Sequence, residues 1–354
     1  MKQSSRNYKR IVIKIGSSLF CSQDRLDASR VEHIAAQVAG LVKEGKEVVL
    51  VTSGAIALGM SALNLVSRPK ELVYLQAAAA VGQHELMDAY RRFFSKAGLN
   101  CGQVLLTWED FDQRSRYLNA KNTLLTLLKL KVIPVINEND TISTDEIKFG
   151  DNDRLSALVA SLIGADLLII LSDVEGLLDA DKQVIRLVDK ITPAIRALAC
   201  PTSRKTCVGG MITKIEAARI ATDSGIACVI ASGRKEDVIA SVIKNPFTAG
   251  TLFLAKNESL GSKERWMAFS AKTKGKIIVD EGAKRALENK KSLLSVGVTG
   301  IEGNFDFSDI VSIRDKDGDE FARGKVRISA KDLDKIKGNR HDKEVIHRDD
   351  IVLL

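Results

Sequence analysis

Four His and five Cys in 354 residues leave little material for metal or thiol chemistry. The cysteines (Cys21, Cys101, Cys200, Cys207 and Cys228) are scattered and odd in number, with no CxxC pair. Neither a disulfide framework nor a Cys/His metal cluster is therefore expected, and the pattern fits a reducing cytoplasm. Long apolar runs are missing too. The longest candidate, 157–171, contains Asp166 and falls short of the ~20 residues that a membrane-spanning helix needs. The basic N-terminal stretch has an apolar core of only 11–15, interrupted by Lys14, and is not read as a signal peptide.

Several nucleotide and hydrolase signatures are absent as well. No GxGxxG opens the first helix, and there is no GxSxG elbow. Gly40 and Gly45-Lys46 have Walker spacing, but Glu47 stands where Ser or Thr is required and the segment joins a helix to a strand, the reverse of the needed order. The net charge of +8 is not concentrated in a tract. Residues 251–354 hold 21 Lys and Arg against 18 Asp and Glu, so charge does not point to nucleic acid.

What remains is a globular composition, 45% hydrophobic and 28% charged, on a chain long enough for two domains. The first 250 residues alternate short apolar strands ("RIVIKIGSS", "EVVLVTSGA", "CGQVLLT", "VIPVINEN", "DLLIILSD", "ACVIAS") with helical stretches. Near-continuous apolar strands separated by helices argue for an α/β fold, a mainly parallel sheet covered on both faces, with ligands at the carboxyl ends of the strands. Beyond about residue 255 the pattern becomes short strands with Gly- and Asp-rich turns, and "RDKDGDEF" reads as a hairpin with Asp317-Gly318 at its tip. The expected division is a catalytic domain over 1–255, a linker over 256–274 and a small, mostly β domain over 275–354.

Small and polar residues gather at the strand ends. Lys14 lies inside an apolar strand, where burial is costly without an anionic partner, and Gly16-Ser17-Ser18 then lets backbone N–H groups approach a phosphate. The alternative is an edge-strand lysine beside an ordinary turn. Thr52-Ser53-Gly54-Ala55 is a strand-to-helix turn, either an anion site or a packing turn. Asn137-Glu138-Asn139-Asp140 suits a ligand's ammonium and carboxylate, or a loop of Asx turns. Gly150-Asp151-Asn152-Asp153 lacks the ligand pattern of a calcium loop, while Asp153 could cap a helix starting near Arg154. Ser172-Asp173 ends a fifth strand. Gly209-Gly210 frees the backbone at a helix start, with Lys214 one turn in and directed back toward the N-terminus.

In this order the segments Lys14–Ser18, Thr52–Ile56, Asn137–Asp140, Phe149–Asp153, Ser172-Asp173 and Gly209–Lys214 resemble the amino acid kinase family. The tail segments "GKIIVDEGAKRAL", "KSLLSVGVTGIEGNF" and "ARGKVRIS" resemble a PUA domain. The resemblance implies a three-layer αβα sandwich followed by a small PUA barrel, and ATP-dependent phosphorylation of the side-chain carboxylate of L-glutamate in proline biosynthesis. It assigns Lys14, Lys214 and Asp153 to catalysis, the lysines stabilising the phosphoryl group and Asp153 holding them. Ser53, Asn137, Asp140, Asp151 and Asn152 are implied to contact glutamate. Lys14, Gly16, Ser172, Asp173, Val208, Gly209, Gly210, Met211, Ile212, Thr213 and Lys214 are implied to contact ATP. The family often has Thr at positions 172 and 208; Ser172 keeps a hydroxyl and Val208 does not.

Mg²⁺ is expected on the ATP phosphates, with no protein ligand assigned. Proline as a feedback inhibitor, a homodimer or homotetramer, and a cytoplasmic location complete the expectations. Another acceptor (acetylglutamate, aspartate, carbamate or UMP), or RNA binding through the tail, remain the alternatives.

Overall fold

A computed structural model describes residues 7–22, 25–143, 152–199, 210–256, 260–341 and 344–354. The chain divides into two compact units: residues 1–110 with 117–259, and residues 111–116 with 260–354. Residues 111–116 in the second unit were not foreseen from the sequence. There the Trp266 indole N–H donates to the Phe111 carbonyl at 3.0 Å, the Lys272 backbone N–H donates to Asp112 Oδ1 at 2.6 Å, and the Arg114 guanidinium stands over the Trp266 ring.

The first unit is built on one eight-stranded sheet. Its strands are β1 (Arg10–Ile15), β2 (Glu47–Val51), β3 (Asn100–Leu106), β4 (Val132–Glu138), β5 (Leu167–Ser172), β6 (Leu187–Val188), β7 (Ala227–Ser232) and β8 (Gly250–Phe253), in the order β3-β4-β2-β1-β5-β7-β8-β6. All neighbours are parallel except β7 and β8, so the sheet is mainly parallel, as the apolar strand runs imply. β1 lies in the middle, hydrogen-bonded to β2 on one side and β5 on the other. The edge-strand reading of Lys14 is thereby excluded.

Side chains alternate across a strand, and that parity decides where Lys14 goes. Ile11, Ile13 and Ile15 join Leu50, Ile169, Leu171 and Val229 in one apolar core. Helix α1 (Ala28–Lys43) covers this face with Val31, Ile34 and Val38, at helical spacing, and Asp27 caps its start by accepting from the Arg30 backbone N–H. The even-numbered residues of β1 therefore face the other way, where the later site forms.

Two further helices, α2 (Ala55–Ala62) and α3 (Leu72–Lys96), pack with their backbones almost touching. A Cβ at Gly59 would come within 1.7 Å of the Ala78 carbonyl oxygen, and one at Gly82 within 1.9 Å of the Ala55 carbonyl oxygen. Only hydrogen fits at these two points. The start of α2 follows Gly54, whose φ of 106° is left-handed and favours glycine. No helix among the described residues is long and apolar enough to cross a membrane.

The second unit has a five-stranded sheet of β9 (Gly275–Val279), β10 (Val298–Gly303), β11 (Ile310–Arg314), β12 (Glu320–Lys325) and β13 (Ile351–Leu353), in the order β10-β9-β11-β12-β13. Ile277, Val279, Val311, Ile313, Leu333 and Phe305 are among the residues of its core. The hairpin tip falls at Asp317-Gly318, Gly318 taking φ of 88°. Asp315 organises that turn, accepting backbone N–H bonds from Asp317 and Asp319 and pairing with Lys284 Nζ at 2.7 Å.

Two expectations follow. Gly59→Ala or Gly82→Ala should lower stability by about 1–3 kcal/mol through overpacking, read as a lower urea midpoint; an unchanged midpoint would contradict the contact. The Lys284 hydrogen bond, more than any other cause, holds the Asp315 carboxyl below its ordinary value. A depressed carboxylate contributes stability above its unfolded pKa of about 3.9, and the contribution is lost as pH falls through the folded value. Asp315→Asn should therefore lower the melting temperature at pH 7 and make little difference near pH 2, by calorimetry at the two pH values.

Candidate functional site

Three charged side chains meet at the carboxyl end of β1. Helix α4 (Asp153–Ile163) starts there, and helix α5 (Met211–Asp223) packs beside it. Lys14 Nζ lies 2.7 Å from Asp153 Oδ1, and Lys214 Nζ lies 3.0 Å from Asp153 Oδ2. All three are out of solvent: Asp153 is 0% exposed, Lys14 3% and Lys214 7%. Strand parity sends Lys14 to this face. Lys214, one turn into α5, reaches back so that Nζ also donates to the Gly210 carbonyl at 3.3 Å. The Thr213 hydroxyl donates to Asp153 Oδ2 at 3.0 Å.

Two ammonium groups this close repel, and Asp153 between them offsets that repulsion. Its place in the first turn of α4 adds the positive end of the helix dipole. Asp153 does not act as the cap; Asn152 occupies that position without a side-chain cap bond. The field of Asp153 is felt one strand away. Burial first, and the Asp153 charge second, push the Cys228 thiol well above its ordinary value, leaving it inert.

Beside the charges runs a chain of neutral amides. Asn152 Nδ2 donates to the Thr52 carbonyl and to Asn137 Oδ1. Asn137 Oδ1 also accepts the Glu138 backbone N–H, and Asn137 Nδ2 donates to Gln83 Oε1 at 2.7 Å. The Ser53 hydroxyl donates to the Ile15 carbonyl at 3.2 Å, tying the end of β2 to the end of β1. Asp140 sits half-buried in the turn after β4.

The phosphate-approach turn of the sequence reading is partly altered. The Gly16 N–H is not outward; it donates to the Leu171 carbonyl at 3.1 Å. A Cβ at Gly16 would lie 3.9 Å from Lys14 Nζ, in ordinary contact. Ser172, at the end of β5, donates to the exposed Asp173 carboxylate, and Gly210 starts α5 with φ of 78°. Met211, Ile212 and Thr213 are half-buried in the first turn of α5. Asp151, Val208 and Gly209 lie outside the described residues. Among the described residues no group of three His, Cys, Asp or Glu side chains converges as a metal site, and Asp153 is committed to lysines.

Sequence reasoning passed over Gln83 and named Thr52 only as part of the strand-to-helix turn at 52–55. Thr52 is buried and its hydroxyl accepts from Tyr90 OH at 3.2 Å. The signal for Gln83 was its spacing of seven residues from Gln76, which puts both amides on one face of an Ala-rich helix.

Comparison with known proteins agrees with this geometry. Residues 9–232 match the model of the amino acid kinase family, and residues 275–348 match that of the PUA domain. Similar curated proteins include the glutamate 5-kinases of Caldanaerobacter subterraneus subsp. tengcongensis, 45% identical over 98% of both chains, and of Geobacter sp. (strain M21), 43% identical over 100% of both. That of Moorella thermoacetica is 44% identical over 98% of this chain and 96% of its own.

Removing Asp153 would leave two buried ammonium groups without a counter-charge. Asp153→Ala is expected to cost about 3–5 kcal/mol in urea unfolding, and adding Lys14→Met should recover part of the loss. Strict additivity of the two substitutions would refute the pairing.

Proposed function

Because the chain belongs to the amino acid kinase family, we propose that it transfers the γ-phosphoryl group of ATP to the side-chain carboxylate of L-glutamate, giving L-glutamyl 5-phosphate, the first step of proline biosynthesis. The observation that carries this reading is the buried Lys14–Asp153–Lys214 cluster at the strand ends. A glutamate side chain, with a pKa of about 4.3, is already ionised at neutral pH, so the nucleophile needs no general base. The obstacle is an anion approaching a polyanion. Catalysis then consists of alignment and of positive charge on the phosphoryl oxygens.

In the transfer a carboxylate oxygen of glutamate bonds to the γ-phosphorus, the bond from that phosphorus to the bridging oxygen breaks, and its electron pair leaves with ADP. Lys14 and Lys214 stabilise the charge of the moving group while Asp153 keeps both ammonium groups in place. ATP contacts come from Ser172, Asp173 and the segment 208–214, and Mg²⁺, when bound with ATP, would offset the charge of the phosphates. Glutamate is contacted by Ser53, Asn137, Asp140, Asp151 and Asn152. Both Asn152 amide hydrogens are taken by Thr52 and Asn137, so its Oδ1 is the atom left to face the substrate ammonium. Feedback by proline, a homodimer or homotetramer, and a cytoplasmic location belong to the same reading.

Hydroxylamine trapping of the acyl phosphate, with glutamate, acetylglutamate and aspartate compared as acceptors, tests the proposal. Glutamate should give the highest kcat/KM, and hydroxamate formation with another acceptor alone would reassign the enzyme. Asp153→Ala and Lys214→Ala should each lower kcat by ~10²-fold or more, as expected for loss of a preorganised donor. Near-normal kcat in either variant would remove the cluster from the mechanism.

A further inference from the structure

Gln83 is the side chain that the reading above leaves without a task. It is 8% exposed, and its Oε1 accepts from Asn137 Nδ2. Its Nε2 is buried and has no hydrogen-bond partner among the described residues. A buried amide donor without a partner costs free energy comparable to a lost hydrogen bond, so such a group needs an explanation.

The orientation of the Gln83 amide follows from backbone groups. The Thr52 carbonyl can only accept, so the atom of Asn152 facing it is Nδ2. The Glu138 backbone N–H can only donate, so the atom of Asn137 facing it is Oδ1, and Asn137 presents Nδ2 to Gln83. Gln83 must then answer with Oε1 and turn Nε2 away from Asn137. Rotating any one amide by half a turn would set donor against donor or acceptor against acceptor. Gln83 is thus held with Nε2 as a buried donor turned away from Asn137.

Its position is fixed from two directions. Asn137 brings it to the end of β4. Gly82, next to it in the chain, is packed on the Ala55 backbone, which brings it to the turn after β2. Both points lie at the carboxyl edge of the sheet. Counting along the contacts, Asn152 adjoins Asp153, Asn137 follows Asn152, and Gln83 follows Asn137, so Gln83 stands at the end of the chain of amides away from the two lysines.

We propose that Gln83 Nε2 donates to the α-carboxylate of the bound acceptor, making Gln83 a specificity-determining residue for amino acid acceptors that carry that group; the proposal rests on the assignment of glutamate as substrate. The donor faces the non-reacting end of the substrate, where the α-carboxylate is the group that only accepts. Asn152 Oδ1 offers the opposite polarity for the α-ammonium. Together they read the two charges of an amino acid with neutral dipoles.

The test compares Gln83→Glu and Gln83→Met in steady-state kinetics at pH 8, with thermal melting recorded for both. Gln83→Glu keeps the acceptor that Asn137 requires and replaces the donor by a negative oxygen. Gln83→Met removes both functions without adding charge. The proposal expects glutamate KM to rise about 10-fold or more in Gln83→Met and further in Gln83→Glu, with ATP KM unmoved. A residue that merely supports Asn137 would give the reverse order, with Gln83→Glu near normal, and that order would overturn the proposal. Should Gln83→Glu fail to fold, an unchanged glutamate KM in Gln83→Met does so alone. Absence of glutamate-dependent turnover in the unsubstituted protein would refute the substrate assignment, and this inference with it.

Discussion

Asp153 is the residue on which the site depends. One fully buried carboxylate holds an ammonium from the central strand and another from a helix 61 residues further along the chain. Charges removed from water are costly, and this cluster persists because each oxygen of Asp153 has its own cationic partner and Thr213 adds a hydroxyl. The same interaction ties β1, α4 and α5 into one arrangement. Stability and chemistry are therefore coupled here: whatever loosens the grip of Asp153 on either lysine also moves positive charge away from where a phosphoryl group would pass.

The neighbouring amides solve a different problem. Neutral dipoles cost less to bury than charges, but they can be read in two directions unless something breaks the symmetry. The Thr52 carbonyl and the Glu138 N–H do so, because backbone groups cannot exchange donor for acceptor. The orientation passes from the sheet through Asn152 and Asn137 to Gln83. Close helix contact at Gly59 and Gly82 brings α3 near enough for that last link.

Much of this was legible in the sequence, for identifiable reasons. Apolar runs gave the strands away, and a lysine at position 14 inside one of them called for an anion. Strand parity places Lys14 on the face opposite Ile13 and Ile15, which a period-2 reading can supply. The partnership of Asp153 with both lysines could not be read from spacing, since it joins three distant segments; it came from the order of motifs resembling a family. Gln83 was missed because two amides at helical spacing, Gln76 and Gln83, do not by themselves mark a site, and its importance appears only once Gly82 sets the distance between helices. Residues 111–116 were assigned by continuity to the first unit, whereas their hydrogen bonds run to Trp266 and Lys272.

The division between charge at one end of the site and neutral dipoles at the other has a kinetic rationale. An ionised acceptor carboxylate needs no proton removed, so rate comes from offsetting repulsion as the two anions meet. Cationic groups are useful where charge shifts during transfer, which is the role proposed for Lys14 and Lys214. At the non-reacting end the charge of the substrate does not change between ground state and transition state. A lysine or arginine there would bind both equally, lowering KM without raising kcat. In the proposed site, amides held by the backbone would select the acceptor by the direction of their hydrogen bonds, with less uniform binding, and would leave the strong electrostatics to the end where bonds are made and broken.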